Sequence, residues 1–312
     1  MTTIPVRVLA EFVHRRGDLF TPGGRVTAEE GIRGQALLQK QRGETYRREV
    51  LCEGQVCFDG INLTLRGRAD GVDDSAGLVE EIKASRNWPE VPFAEHRAQA
   101  LLYAALLDHT GTMQPAWNIQ VTYVDPDSLE SRTFTENIDV AGLRRFFEAS
   151  VRSWVDWVRV RLDVRRQRDE WIRAMAFPMP ALRPWQGAMM RRTTQAIRDR
   201  QPLLLEAPTG SGKTLAVTWP AVRGLPEASR ILFLTSRNTG GRAALQALGL
   251  IAGKQNPLSR IVLTAKEKIC PLPGTPCDPE FCPNARGYYD RSRAAVSALV
   301  ENLEATSDVV TA

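Results

Sequence analysis

The sequence predicts an α/β protein in two successive parts, a mixed β-sheet with helices followed by a partial unit of the parallel strand–loop–helix type. Apolar runs of strand length, two of them joined by the turn dipeptide Asp59-Gly60, indicate the sheet of the first part. A Gly-rich loop between an apolar run and a helix indicates the second part. Residues 177–186 (FPMPALRPWQ) separate the two, since three prolines prevent a regular element. We therefore assign the first domain to residues 1–175.

The first domain alternates between the periodicities of strands and helices. Asp59 and Gly60 readily adopt the positive φ that a tight hairpin demands. The predicted helices cover residues 26–41, 93–109 and 140–175, and the predicted strands cover residues 46–58, 61–72, 77–84, 117–124 and 131–138.

The second part is predicted to follow the order strand, loop, helix, strand. A helix is predicted at residues 187–200, and apolar strands are predicted at residues 202–207 and 230–235. This order is typical of a parallel α/β sheet. We assign residues 176–262 to this domain and residues 263–312 to a separate segment that carries three cysteines.

Composition excludes several classes of protein. Of the 312 residues, 43% are apolar and 25% are charged, the ordinary mix of a globular protein. No apolar run approaches the ~20 residues that span a bilayer, and the first residues do not resemble a secretory signal. Five cysteines are few and odd in number, which argues against a disulfide framework. We expect a cytoplasmic protein without a membrane partner.

Positive charge is concentrated in the second part. Residues 1–175 carry 24 Lys and Arg against 26 Asp and Glu, whereas residues 176–312 carry 17 against 10. This excess favours a phosphate-rich partner, although arginine-rich faces are often merely solvated. Only six of the 41 cationic residues are lysines, and two of them, Lys83 and Lys213, lie in the motifs described next. A lysine kept among arginines suggests a need for a compact ammonium group.

The segment APTGSGKT predicts a nucleotide-binding loop. It follows the apolar run PLLLE and precedes a helix, so backbone N–H groups and the helix N-terminus can surround phosphates. The lysine can reach the terminal phosphates of ATP, and the threonine hydroxyl can bind Mg²⁺. The loop consists of Ala207, Pro208, Thr209, Gly210, Ser211, Gly212, Lys213 and Thr214.

The region around this loop resembles the XPD/DinG-like superfamily 2 DNA helicases. The resemblance rests on FPMPALRPWQ before LLLEAPTGSGKT and on ILFLTSRNTGGRAALQAL at residues 231–248. It implies a RecA-like motor domain in which Arg183 and Gln186 recognise the adenine of ATP. It also implies that Thr235, Ser236 and Arg237 contact the DNA backbone.

Three cysteines lie close together at Cys270, Cys277 and Cys282. Their spacers of six and four residues do not match the C-x₂-C of an ordinary zinc site, and an iron–sulfur cluster needs four thiolates. The flanking segments LTAKEKICP and CPNARGYYDR resemble the iron–sulfur domain of XPD/DinG-like helicases. The resemblance implies a [4Fe–4S] cluster in the intact protein, with a fourth cysteine further downstream; whether three cysteines suffice stays open. Cys52 and Cys57 are predicted to be core residues.

The first domain carries Asp70, followed by Glu81 and Lys83 two residues apart on the next strand. Alternation along a strand directs Glu81 and Lys83 to one face, towards Asp70. Two converging carboxylates can hold a divalent cation, which acidifies a water molecule, and Lys83 can stabilise the developing negative charge. This arrangement resembles that of the PD-(D/E)XK nucleases. The alternative is an exposed strand face with alternating charges.

The segment HRAQALLYAALL resembles the Gln-x-x-x-Tyr motif of RecB-family nucleases. Gln99 and Tyr103 are the matching residues, and the resemblance implies that they position the active site and DNA. The segment GIRGQALLQKQRGETYRREV resembles the opening of that family, with Glu49 as a further acid. That family usually has a histidine metal ligand where this chain has Gln35, which predicts weaker metal binding. His96 lies one turn from Gln99, where it could line the site, but an ordinary surface or capping histidine is the expected reading.

Together the motifs predict a PD-(D/E)XK nuclease domain fused to the start of an iron–sulfur DNA helicase. The expected cofactors are ATP, Mg²⁺ or Mn²⁺ and a [4Fe–4S] cluster, and the expected partner is single-stranded or forked DNA. No acidic motif for ATP hydrolysis and no second motor domain follow Thr214, so these residues alone are not expected to unwind DNA or turn over ATP. Two alternatives stay open: a DNA-binding module with a degenerate nuclease fold, and a stand-alone nuclease with a vestigial nucleotide-binding tail.

Overall fold

The computed structural model divides the chain into two compact units. The first contains Met1–Arg159 and Cys270–Ala295, and the second contains Val160–Ile269 and Val296–Ala312. The structure describes residues 2–19, 26–111, 114–226, 230–235, 238–253, 258–301 and 310–311.

The first unit is built on a six-stranded mixed sheet, which confirms the predicted mixed α/β fold. The strands run in the order β1-β3-β4-β5-β6, and β2 also pairs with β3. The β1–β3 and β4–β5 pairs are parallel, and the other pairs are antiparallel. The elements of this unit are β1 (Thr2–Pro5), α1 (Val6–His14), α2 (Ala28–Lys40), β2 (Tyr46–Phe58), β3 (Ile61–Asp73), β4 (Leu78–Ala84), α3 (Ala94–His109), β5 (Ala116–Val124), β6 (Ser131–Asp139) and the first part of α4 (Val140–Ala174).

Local sequence signals account for most of these bounds. Asp59 and Gly60 form the predicted two-residue hairpin, both with positive φ, and Phe58 pairs with Ile61 across it. Helix α2 begins after Thr27, whose hydroxyl accepts from the backbone N–H of Glu30 while the Glu30 carboxylate accepts from the N–H of Thr27. This capping box satisfies two donors that would otherwise lack partners at the helix start.

The sequence analysis predicted no element in the first 14 residues, where the structure has β1 and α1. Helix α1 buries Val6, Leu9, Ala10 and Val13, a spacing that places all four on one face. This face packs into the main core between the sheet and helix α3. Helices α1 and α3 pack against each other and both contact β3.

The second unit is mostly helical in the residues that the structure describes. Its core contains Ile172, Leu215, Val222 and Ile251. The elements are the end of α4, α5 (Gln186–Asp199), α6 (Lys213–Arg223), α7 (Asn238–Ala252), β7 (Ile261–Val262), α8 (Lys266–Ile269) and β8 (Val310–Thr311), and α9 (Tyr288–Glu301) begins in the first unit.

The predicted strands at residues 202–207 and 230–235 are wrong for this structure, since both segments are irregular. Leu204 is 97% exposed and Leu234 is 88% exposed. A strand needs a neighbour that pairs with its backbone groups, and neither segment pairs with another strand in the described part of the chain. The parallel sheet of a RecA-like domain is therefore absent from the described residues.

No helix in the described part of the chain is long and apolar enough to cross a membrane.

Candidate active site

The structure brings Asp70, Glu81 and Lys83 together where strands β3 and β4 meet. The two strands pair from Asp73↔Leu78 to Gly71↔Glu80, and Asp70 is the next residue of β3. The Asp70 Oδ2 atom accepts a hydrogen bond of 2.6 Å from the backbone N–H of Ile82. The Lys83 ammonium forms an ion pair with Glu81 Oε1.

Burial makes both carboxylates hard to ionise in the absence of a cation. It raises the pKa of Asp70 to about 8, and the nearby Glu81 carboxylate adds to this effect. Burial also raises the pKa of Glu81, although Lys83 opposes the shift. Two acids held at such a cost are typical of a functional site rather than of a stabilising ion pair.

The residues present fit a divalent cation. The Oε2 atom of Glu81 is buried and has no hydrogen-bond partner, so an oxygen ligand is available beside Asp70. A cation there would replace the missing partner and favour the ionised form of both acids. Within the described ranges, no group of three or more His, Cys, Asp or Glu side chains is arranged to hold a metal ion, so protein carboxylates would supply only part of its coordination.

Gln35 lies directly in the site. Its Nε2 group donates hydrogen bonds of 2.8 Å to Asp70 Oδ1 and to Glu49 Oε1, so it bridges the two acids. Glu49 occupies the left-handed region with φ of 53°, a conformation that costs energy for a residue with a side chain. The Gln35 amide nitrogen thus donates hydrogen bonds to the two carboxylates. A metal ligand at this position would instead bind the same cation as those carboxylates.

Gln39, one helical turn after Gln35, is a site residue that sequence reasoning missed. Its Nε2 group donates to the backbone oxygen of Asp70 at 2.8 Å and, more weakly, to Glu49 at 3.4 Å. The i, i+4 spacing from Gln35 on α2 was the available signal.

Gln99 and Tyr103 are buried on α3, the helix that covers this part of the sheet. The Tyr103 ring lies against β3 at Gly67, where a Cβ atom would stand 2.6 Å from Tyr103 Cε1. Burial and then the carboxylates of Glu81 and Asp70 raise the Tyr103 pKa. Tyr103 therefore remains a protonated phenol close to the acids.

His96 is held by Tyr123, with 2.9 Å between Nδ1 and the hydroxyl oxygen. Burial, and to a lesser extent the charge of Lys83, lowers the pKa of His96 to about 3. The imidazole is therefore neutral at physiological pH. His96 is a partly buried side chain in the first turn of α3 that contacts β5 through Tyr123.

The sequence analysis also missed a hydrogen-bond network around Glu80. Glu80 lies on β4 beside Glu81 and is fully buried. Arg42 forms an ion pair with its carboxylate. The Glu80 carboxylate also accepts hydrogen bonds from Tyr46 at 2.6 Å, Gln120 at 2.7 Å and Thr122 at 2.5 Å. This set of bonds connects β2, β4 and β5 and fixes β4 where it presents Glu81 and Lys83.

In the second unit, the predicted adenine residues contact the predicted phosphate loop. Arg183 Nη1 donates to the backbone oxygen of Gly210 at 2.7 Å, and Gln186 Nε2 donates to that of Gly212 at 3.3 Å. Both glycines have φ of 76°, which favours glycine. Lys213 Nζ donates to the backbone oxygen of Ala207 at 2.8 Å, so its ammonium lies over the loop. Pro208, Thr209, Ser211 and Thr214 complete this loop and the start of α6.

Cys270, Cys277 and Cys282 lie in the segment between α8 and α9. Cys282 is buried, and Cys270 and Cys277 are partly buried. Thr235 belongs to one of the irregular apolar segments, and Ser236 and Arg237 lie outside the described residues. A cluster-binding arrangement of the cysteines stays a prediction.

The mixed sheet carries Asp70 on β3 and Glu81 and Lys83 on the adjacent strand β4. The sequence profile of the PD-(D/E)XK nuclease superfamily matches residues 10–201, well over half of the chain. The chain belongs to the PD-(D/E)XK nuclease superfamily.

Two further comparisons cover less of the protein. A probable ATP-dependent helicase of Methanocaldococcus jannaschii is 41% identical over 59 residues, which are 19% of this chain and 9% of that relative. The chain thus matches only a small share of the helicase's length. A solved structure titled "Crystal structure of SSO0001" aligns with 48% of this chain and 76% of its own, at 22% identity and a TM-score of 0.34.

Proposed function

We propose that the first unit is a DNA nuclease that cleaves phosphodiester bonds with Mg²⁺ or Mn²⁺. The observation that carries this proposal is the meeting of Asp70, Glu81 and Lys83 at one point of the sheet, with a buried carboxylate oxygen of Glu81 left without a partner. Membership of a nuclease superfamily supports cleavage of nucleic acid. DNA, single-stranded or forked, is the substrate that the helicase resemblance favours.

Each residue has a distinct task in this mechanism. Asp70 and Glu81 would hold the cation, which when bound polarises the phosphodiester and acidifies water. The Lys83 ammonium orients the attacking water and stabilises negative charge that develops on the phosphate. Tyr103, a protonated phenol against β3, and Gln99 keep this side of the site in place and exclude bulk water.

The test is cleavage of end-labelled single-stranded and forked DNA by the purified chain, with Mg²⁺ or Mn²⁺. Lys83→Ala is expected to reduce the rate by about 10²-fold or more, because it removes charge stabilisation in the transition state. Lys40→Ala is the matched control, since Lys40 is an exposed lysine of the same unit. Equal rates for Lys83→Ala and the control would contradict the proposal.

A second candidate function is a DNA-binding module with a degenerate nuclease fold. The amide of Gln35, which bridges Asp70 and Glu49 by hydrogen bonds, favours it. This function predicts DNA binding without cleavage, and Lys83→Ala, which removes one positive charge, should lower the DNA affinity only slightly.

We also propose that residues 207–214 bind ATP as part of the motor domain of a longer helicase, with domains at 1–175, 176–262 and 263–312. Support comes from the contacts of Arg183 and Gln186 with the loop and from the short match to a probable ATP-dependent helicase. Lys213→Ala is expected to weaken binding of a fluorescent ATP analogue at least tenfold, and Lys268→Ala serves as control. Unchanged binding would contradict the proposal. These residues alone are still not expected to unwind DNA or hydrolyse ATP.

We also propose that the intact protein holds a [4Fe–4S] cluster. Cys270, Cys277 and Cys282 would supply three of its ligands in a cytoplasmic protein. Anaerobic reconstitution with iron and sulfide, followed by visible absorption spectroscopy, tests it, and Cys277→Ser is expected to abolish the cluster absorption.

A further inference from the structure

The segment that follows the cysteines is bound to the end of α1 by reciprocal hydrogen bonds within the first unit. Backbone groups pair between Leu19 and Ala285 at 2.8 Å and between Tyr289 and Gly17 at 3.0 Å. Asp290 accepts from the N–H of Gly17 at 2.9 Å, and Asp18 accepts from the N–H of Gly287 at 2.6 Å. We call residues 13–19 and 285–293 the clamp.

Arg15 lies at the centre of the clamp. Its Nη2 group donates to the Tyr289 hydroxyl at 2.6 Å, and its guanidinium lies 4.0 Å from the centre of the Tyr289 ring. A planar guanidinium can make both contacts at once, which an ammonium group cannot. Further out in the clamp, Arg293 Nη1 donates to the backbone oxygen of Val13 at 2.6 Å.

Arg15 also reaches the helix that covers the candidate active site. Its Nε atom lies 3.4 Å from Glu95 Oε1, and Glu95 is buried in the first turn of α3. Glu95, Gln99 and Tyr103 follow one another at intervals of four residues, so they share one face of α3. Tyr103 on this face lies against Gly67 of β3, three residues before Asp70.

We infer that Arg15 is a positioning residue of the nuclease site, which couples the segment after the cysteines to the catalytic face of α3 through its ion pair with Glu95. This inference rests on the proposed nuclease function. The clamp sets the orientation of the first turn of α3, and α3 as a rigid helix passes this orientation to Gln99 and Tyr103. A change in residues 285–293 therefore alters the cleavage rate without any contact with DNA.

The test is a double-mutant cycle in cleavage kinetics on the full chain, with Arg15→Gln, Tyr289→Phe and the double variant. Arg15→Gln is expected to lower kcat about fivefold with KM nearly unchanged, and Tyr289→Phe about twofold. Because both act through one contact, the double variant is expected to be no slower than Arg15→Gln. Arg15→Lys keeps the ion pair with Glu95 and is expected to recover part of the rate. Arg16→Gln is the matched control, since Arg16 is the exposed neighbour in the same segment.

A second measurement separates this inference from the proposed function. Hydrogen exchange of the α3 backbone amides is expected to be faster in Arg15→Gln and Tyr289→Phe than in Arg16→Gln. If the wild-type chain does not cleave DNA, the proposed function fails, and the exchange data alone decide whether the clamp orders α3. A kcat of Arg15→Gln equal to that of the control, multiplicative losses in the double variant, or unchanged exchange in α3 would each overturn the inference.

Discussion

At the scale of single residues, the site has the features of a place where function is favoured over stability. Asp70 is held with its pKa raised to about 8, mainly by burial, and Glu49 has an unfavourable positive φ. The Gln35 amide partly compensates by donating to both acids. Proteins commonly carry such destabilising groups where the binding of a ligand offsets the lost stability.

Asp70→Asn is expected to stabilise the metal-free chain. The folded-state pKa of Asp70 lies above its unfolded value, so its contribution to stability is fully present below the unfolded pKa and is lost as the pH rises through about 8. The wild-type chain should therefore lose stability between about pH 4 and pH 8, by up to about 1.4 kcal/mol per pH unit, and Asp70→Asn should remove that loss. Urea unfolding in EDTA measures it.

Asp73→Asn is the contrasting variant on the same strand. Hydrogen bonds from the Ser75 and Thr45 hydroxyls lower the pKa of the partly buried Asp73 carboxylate, so its ionised form is favoured in the folded chain. Its removal is expected to destabilise the chain at neutral pH. If Asp70→Asn behaved like Asp73→Asn, the account of Asp70 would be wrong.

Gln35→His is expected to strengthen metal binding at the site. A neutral imidazole nitrogen can ligate the cation that Asp70 would hold, whereas the Gln35 amide donates to the carboxylate instead. The Mn²⁺ concentration for half-maximal cleavage should fall by about tenfold. Gln35→Ala, which only removes the amide, is the control and should not show this gain. A rise in the required concentration for Gln35→His would show that the amide is needed as it stands.

At the scale of elements, strand β4 is held in position from both sides. On one side the Glu80 carboxylate accepts from Tyr46, and the Tyr46 hydroxyl lies across β3 at Gly71. On the other side Glu81 and Lys83 form the candidate site. The buried network therefore acts as a support that fixes the register of the strand which carries two site residues.

Gly71→Ala is expected to break this support. A Cβ atom at residue 71 would overlap the Tyr46 hydroxyl, so the ring must move and Glu80 loses a buried donor. The expected loss is about 3 kcal/mol or more in the free energy of unfolding, measured in urea. Gly43→Ala is the matched control, because a Cβ atom there meets no other atom within 4 Å. Equal stability of the two variants would show that the contact is unimportant.

The elements also show what sequence can predict. The hairpin at Asp59-Gly60 and helix α3 follow from signals within a few residues, and their predicted bounds agree with the structure to within one residue. Glu80 and Gln39 were missed because their roles depend on partners far along the chain. The apolar segments at residues 202–207 and 230–235 have strand-like sequences, but a strand forms only where another strand pairs with it.

At the scale of the whole molecule, the two units differ in how completely their apolar residues are buried. The core of the first unit is continuous from α1 and α3 to the sheet. In the second unit, residues 231–234 are exposed together with Leu203 and Leu204. Exposed apolar runs of strand length favour association with other chains.

We therefore expect the purified chain to self-associate through these two segments. Leu204→Ser with Leu234→Ser should shift the chain towards the monomer in size-exclusion chromatography with light scattering, because both side chains are almost fully exposed at 97% and 88%. DNA cleavage by the first unit should not change. Leu215→Ser is the control, since Leu215 is part of the buried core of the second unit, and its substitution should destabilise that unit by about 2–5 kcal/mol instead. A chain that is already monomeric, or an assembly unaffected by the double substitution, would show that these segments do not mediate contacts between chains.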